Sequence, residues 1–286
     1  MIDHIFPLGG DLRVRRLGYG TAQLTGPGYW GPRGDPADAV AVLRRAVERG
    51  VTLIDTADNY GPRLAEELIA EALHPYPEHL VIATKGGVVR TSDRAWHIDG
   101  RPEHLRAACE ASLKRLRVDT IDLYQLHRLD PGIPPTEQLG ALGELRAEGK
   151  IRHIGLDTVT AEQLAEALTS APVAAMQNRY HLRDRVSEPL LTLCEERGIA
   201  FLPWFPLGNG ALTRDPGCVS VAAAHGVTPG QVALAWLLHR SPVLCPTPGT
   251  GSPAHLEENL AAAAVRLTDG DMTRLDALSP RSAPRA

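Results

Sequence analysis

The sequence predicts a closed (β/α)₈ barrel preceded by a short β-hairpin, on three observations. Apolar runs of strand length alternate with amphipathic segments of helix length from Asp35 to near the C-terminus. With "RLGYG" at Arg16–Gly20 counted as the first, eight such runs fit within 286 residues, the count of a closed barrel rather than of an open doubly wound sheet. No Gly-rich GxGxxG segment follows the first run, as an open dinucleotide-binding half would require.

At the N-terminus, "IFPLGGDLRVRRLG" sets Gly-Gly between two apolar stretches, a hairpin signature, and "RLGYG" at Arg16–Gly20 reads as the first barrel strand. In "DPADAVAVLRRAVERG" the side chains of Val40, Leu43, Ala46 and Val47 share one helix face, and "VTLID" follows as a buried strand. The couplet then repeats. Leu64–Leu73 leads to "LVIAT", Pro102–Leu116 to "IDLYQLH", Pro135–Gly149 to "IRHIGLD", and Ala161–Leu168 to "VAAMQ". Ser187–Arg197 leads to "IAFLPW" and Pro229–Arg240 to "PVLCP", the eighth strand, with Pro253–Ala264 as the helix after it. The tail "SPRSAPRA" is expected to fray. With no linker or low-complexity segment, residues 1–286 are expected to form a single barrel domain.

A net charge of −4, with 43% hydrophobic and 22% charged residues, describes an ordinary soluble chain and gives no basic excess for a nucleic acid. Cys109, Cys194, Cys218 and Cys245 lie far apart with no CxxC pair, which fits reduced thiols better than disulfides or a zinc site. No apolar run approaches the ~18 residues of a membrane span, and the N-terminus has no signal pattern. The expected setting is cytoplasmic, with no membrane or nucleic-acid partner, as a monomer or weak homo-oligomer.

In a barrel of this kind, chemistry sits at the C-terminal ends of the strands. Read in order, those ends carry Asp55 and Tyr60 in "IDTADNY", Lys85 in "ATKGG" and His127 in "LYQLHRLD". Each alone has a structural explanation as a turn cap, a solvated lysine or a hydrogen-bonded core histidine. Together they are different, because Asp55, Lys85 and His127 end consecutive strands and meet at one mouth. A buried ammonium hydrogen-bonded to a phenol is expected to lower the phenol's pKa, making Tyr60 a general acid near neutral pH. Asp55 is expected to hold Lys85 charged, and His127 to orient a carbonyl oxygen or relay its proton. The set is suited to protonating an oxygen.

With these residues in place, the chain resembles the aldo-keto reductases. The likeness runs from "RLGYGTAQLTGPG" through "GVTLIDTADNYGP", "IATKGG", "SLKRLRVDTIDLYQLHR", "LRAEGKIRHIGL", "FPLGNG" and "VALAWLL" to "TPGTGSPAHLEENLAA". It implies a barrel that binds NADPH in extended form and reduces aldehydes or ketones, with Asp55, Tyr60, Lys85 and His127 as the catalytic set. It also implies that Gln177 hydrogen-bonds the nicotinamide carboxamide and that Trp204 stacks on its ring. Phe205, Pro206, Leu207, Gly208 and Gly210 in "FPLGNG" match the pyrophosphate loop. Gly20 and Thr21 complete the cofactor set near the first strand, while Glu258 and Asn259 match the adenine contacts.

Two departures stand out. Where the family commonly has Ser-Asn after the fifth strand, this chain has Asp157 and Thr158, and an ionised Asp accepts hydrogen bonds without donating them. Where well-known members place Lys and Arg against the 2′-phosphate, this chain has Gly249 and His255, beside Pro248, Thr250 and Ser252. NADPH is the expected cofactor, with NADH the alternative that the loss of a bidentate Arg leaves open. Trp30, Trp96 and Leu129, with Tyr60 and His127, are expected to line an apolar substrate wall. The pattern looks like a bacterial branch that includes pyridoxal reductases, which implies an aromatic or heterocyclic aldehyde. Two rivals are a cofactor-sensing regulatory protein on the same barrel and a metal-dependent hydrolase, although His127 and scattered acids are a poor metal set.

Overall fold

The computed structural model describes residues 4–278, so the tail "SPRSAPRA" lies outside the described residues. It begins with an antiparallel hairpin, β1 (Ile5–Leu8) and β2 (Leu12–Arg15), turned at Gly9 and Gly10 with positive φ values of 63° and 91°. Asp11 in this turn bonds Arg152 at 2.8 Å and His153 at 2.6 Å, and the Arg15 N–H donates to Thr52 Oγ1 at 2.6 Å. Those partners sit at or just before the N-terminal ends of barrel strands, so the hairpin covers the end opposite the predicted mouth.

The barrel then builds as β3 (Tyr19–Gly20), α1 (Pro36–Glu48), β4 (Leu53–Asp55), α2 (Leu64–Leu73) and β5 (Val81–Gly86). A second hairpin, β6 (Val88–Arg90) with β7 (Trp96–Ile98), precedes α3 (Pro102–Leu116), β8 (Ile121–Leu126), α4 (Pro135–Ala147) and β9 (Ile151–Asp157). The chain continues with α5 (Ala161–Ala167), β10 (Val173–Arg179), α6 (Glu188–Arg197), β11 (Ala200–Trp204), α7 (Pro216–His225), α8 (Pro229–Arg240), α9 (Pro253–Ala261) and α10 (Asp269–Asp276). Helix starts follow local chemistry: Asp35 caps α1 ahead of Pro36, while Thr160 with Gln163 and Thr228 with Gln231 form capping boxes. Val40, Leu43 and Ala46 are buried as the periodicity requires, and Val47 packs partly buried at the edge of the core.

Seven strands run parallel in the order β11-β10-β9-β8-β5-β4-β3. The expected eighth strand is not a regular one. "PVLCPTPG" instead joins both sheet edges by isolated parallel bridges, Leu244 to Phe201 on β11 and Gly249 to Gly20 on β3. Hydrogen bonds from Phe201 N to Val243 O (2.8 Å), Cys245 N to Phe201 O (2.8 Å) and Gly18 N to Pro246 O (3.0 Å) complete the junction. Pro246 and Pro248 have no N–H to donate, which is why this segment closes the (β/α)₈ barrel without forming a ladder. One hydrophobic cluster extends from Phe6 to Leu275, and all four cysteines lie within it, buried and free. No single helix among the described residues is long and apolar enough to cross a membrane.

Candidate active site

The C-terminal strand ends open into a cleft of about 1380 Å³, larger than an ordinary small-molecule pocket and wide enough for a dinucleotide beside a substrate. Asp55 ends β4, and the neighbouring strands pair so that Asp55 faces Ala83 and Lys85 faces Gln125. That register sets Lys85, fully buried, directly behind Asp55. Lys85 Nζ donates to Asp55 Oδ1 at 2.8 Å, to Oδ2 at 2.9 Å and to the Thr56 carbonyl at 2.8 Å. Its three protons are therefore all committed. Asp55 also accepts from Gln125 at 3.2 Å and Gln177 at 3.0 Å. Burial alone would pull the Lys85 pKa down, but Asp55, Tyr60 and Asp157 outweigh it and hold the ammonium above its ordinary value.

Tyr60 stands on the loop after β4, with its ring centroid 5.2 Å from Lys85 Nζ and 6.2 Å from the His127 ring, to which it is edge-on. The expected Lys85-to-phenol hydrogen bond is absent among the described contacts, and the expected lowering of the Tyr60 pKa is not met. Burial pushes the phenol up to about 12, with Lys85 pulling it down and Asp55, Asp157 and Tyr29 adding to the rise. Lys85 acts on Tyr60 by its charge alone, and that charge is shared with Asp55.

His127 follows β8 and is buried. Asn59 Nδ2 lies 3.2 Å from the Val88 carbonyl, which only accepts, so this end of the amide is the NH₂. The same NH₂ lies 3.1 Å from His127 Nδ1, which must accept. Burial, then Lys85 and Arg128, press the imidazole pKa well below its usual value. The ring is thus neutral and carries its proton on Nε2.

Beside it, Arg128 Nη1 donates to Asp157 Oδ1 at 2.7 Å and to the His127 carbonyl at 2.7 Å, while Thr158 Oγ1 donates to the same Asp157 oxygen at 2.6 Å. Burial raises Asp157 to about 6, against the pull of Arg128, Lys85 and the Thr158 hydroxyl. Its other oxygen is 3.9 Å from His127 Nε2.

Residues 16–280 match the model of the aldo/keto reductase family. The chain belongs to the aldo/keto reductase family. It is 41% identical over 276 residues to pyridoxine 4-dehydrogenase of Escherichia coli, covering 94% of this chain and 96% of that one. It is 44% identical over 269 residues to an oxidoreductase of Schizosaccharomyces pombe, covering 93% and 87%. Among solved structures, an aldo/keto reductase of Klebsiella pneumoniae in complex with NADP and acetate superposes with a TM-score of 0.84 at 29% identity, covering 100% of this chain and 98% of that one. This reductase is accordingly an NADP-dependent oxidoreductase acting on carbonyl groups.

The cleft of the reductase fits that cofactor. Phe205, Gly208, Asn209 and Gly210 all have positive φ, and the loop after β11 folds back on itself, with Gly208 N donating to the Phe205 carbonyl at 2.7 Å and Gly210 N to the Leu207 carbonyl at 3.0 Å, so that Phe205, Pro206, Leu207, Asn209 and Gly210 line the cleft. Trp204 Nε1 is buried without a partner beside it. Of the predicted cofactor residues, Gly20, Asp157, Gln177, Trp204, Phe205, Pro206, Leu207, Gly210, Pro248, Gly249, Thr250, Ser252, His255, Glu258 and Asn259 line the cleft.

Three do not. The Thr21 hydroxyl turns to the Asp55 carbonyl at 3.2 Å, Thr158 is taken by Asp157, and Gly208 packs toward His181. Gln177 reaches the cleft, but its amide is held by Gln125 at 3.1 Å and by Asp55.

At the substrate end, Asp55, Tyr60, His127 and Trp96 line the cleft and Lys85 lies behind them. Trp30 and Leu129 are not on its wall. Trp30 lies under Arg90 and Arg94 at 5.3 and 5.8 Å, and the wall position belongs to Tyr29, 5.9 Å from Tyr60 and 6.1 Å from Trp96. Asn59, Arg128 and Tyr29 are site residues that the strand-end reading missed, each a chain neighbour of a residue it singled out.

Proposed function

We propose that this aldo/keto reductase uses Tyr60 as general acid in the NADPH-dependent reduction of an aromatic or heterocyclic aldehyde of the pyridoxal type. The observation that carries the reading is the convergence of the Tyr60 phenol, the Lys85 ammonium and a neutral His127 with its proton on Nε2 at one end of the cleft. When bound, NADPH supplies the hydride from C4 of its nicotinamide. His127 Nε2–H donates to the carbonyl oxygen and sets its direction. Tyr60 Oη gives its proton to the alkoxide as it develops, and the positive charge of Lys85 stabilises the phenolate left behind. Asp55 acts one step back as a positioning residue for Lys85.

An aromatic substrate is favoured by the ring wall of Tyr29, Tyr60 and Trp96, and by the relative named for pyridoxine 4-dehydrogenation. The test is a comparison of kcat/KM for pyridoxal and a linear aldehyde with NADPH, in the native protein and in Trp96→Ala. The native protein is expected to prefer pyridoxal, and Trp96→Ala to lose about three- to tenfold of that preference, the scale of one aromatic contact. A native preference for the linear aldehyde would sink the substrate assignment.

The tautomer of His127 is testable separately. Asn59→Asp puts an acceptor before Nδ1, which then takes the proton and leaves Nε2 bare toward the carbonyl. Turnover is expected to drop about a hundredfold with NADPH affinity unchanged, and the nitrogen NMR shifts of His127 to exchange between the two ring positions.

A further inference from the structure

The 2′-phosphate that distinguishes NADPH from NADH lacks the Lys and Arg of well-known family members, since the matching positions here are Gly249 and His255. The absence at 249 has a structural cause. A Cβ there would stand 2.8 Å from the Gly20 carbonyl oxygen, a backbone atom fixed by the bridge that closes the barrel. In this chain a side chain at that point would have to displace the Gly20 backbone, and the matching Arg position holds His255, so a strong cation for the phosphate is sought on a neighbouring segment.

The loop between β3 and α1 supplies one. Gln23 Cγ is 3.4 Å from the point a Gly249 Cβ would take, and the Gln23 carbonyl is 3.5 Å from the equivalent point on Gly251. Arg33 Cδ lies 3.7 Å from that same point on Gly251, so the bare glycine lets the Arg33 side chain run along the 249–252 loop. Arg33 Nη1 donates to the Gln23 carbonyl at 3.2 Å and to Gln23 Oε1. Nε and Nη2 make no hydrogen bond among the described residues. Two arginines line the cleft: Arg128 is tied to Asp157 at the reaction end, and Arg33 stands at the end with Thr250, Ser252 and His255. Asp35, Asp38 and Glu258 line the same region; Asp35 caps α1 and Glu258 accepts from Thr228 Oγ1 at 2.6 Å. Their negative charge opposes a phosphate dianion and raises the need for a guanidinium there.

We propose that Arg33 binds the 2′-phosphate of NADPH, supplying from the first βα loop the cation that position 249, pressed against the Gly20 carbonyl in this chain, does not carry, with Gln23 as its positioning residue. The inference rests on NADPH as cofactor and is independent of the substrate and of the role of Tyr60.

The test is cofactor affinity, read by quenching of tryptophan fluorescence with NADPH and NADH in the full chain, together with competition by 2′,5′-ADP. Arg33→Gln keeps an amide that can reach Gln23 and removes the charge. It is expected to weaken NADPH and 2′,5′-ADP at least about tenfold and leave NADH within about twofold, with part of the loss restored in Arg33→Lys. An equal loss for NADPH and NADH assigns Arg33 to loop structure and overturns the proposal. So does an unchanged NADPH affinity, or a phosphate-specific loss found in His255→Ala and not in Arg33→Gln.

Discussion

Tyr60→Phe is expected to lower kcat for aldehyde reduction by about three orders of magnitude while NADPH affinity stays within about twofold. The substitution removes only Oη and keeps the ring against Tyr29 and His127, so the site retains its shape. A thousandfold loss corresponds to about 4 kcal/mol of transition-state stabilisation, within the span of a single general acid. A variant that reduced pyridoxal at the native rate would remove Tyr60 from the mechanism.

The pH dependence carries the same logic. A phenol raised to about 12 keeps its proton across the neutral and mildly alkaline range, so loss of the acid produces no fall in the reduction rate there. Alcohol oxidation needs the phenolate, and its rate is expected to climb with pH toward that value. His127, held well below its ordinary pKa, adds no limb near pH 6.5 in either direction.

Much of this was legible in the sequence because a parallel barrel turns strand order into spatial order. Once "VTLID", "LVIAT" and "IDLYQLH" are adjacent strands, Asp55, Lys85 and His127 have to meet, and the structure brings them together. What the strand pattern hid has local causes. The eighth run is apolar enough to pass for a strand, yet its prolines deny it a ladder. β6 and β7 are three residues each, too short for periodicity to register around their charged turn. Trp30 is expected on the substrate wall, but the adjacent Tyr29 has a φ of 57°, and the chain turns there so that the Tyr29 ring faces the cleft and the Trp30 ring faces Arg90. The expected lowering of the Tyr60 pKa is not met because burial of the phenol outweighs the pull of Lys85, and sequence gives the partners but neither their burial nor their allocation. Lys85 had three protons to give, and Asp55 with the Thr56 carbonyl takes them all.

That allocation makes Lys85→Met the second large effect, and one that separates stability from catalysis. Methionine fills most of the lysine volume but leaves the Asp55 carboxylate buried with only Gln125 and Gln177 as donors. Breaking a buried pair from one side costs about 3–5 kcal/mol, which for a chain of this length lowers Tm by roughly 10 °C. Turnover is expected to fall by at least about a thousandfold, because the phenolate of Tyr60 forms with no positive charge behind it. Asp55→Asn in the same background neutralises the stranded carboxylate and is expected to restore most of the lost Tm, since the site then holds neither charge. Activity stays lost in that double variant. Recovery of both together would mean that Lys85 serves only to balance Asp55, and the electrostatic support assigned to it for Tyr60 would fall.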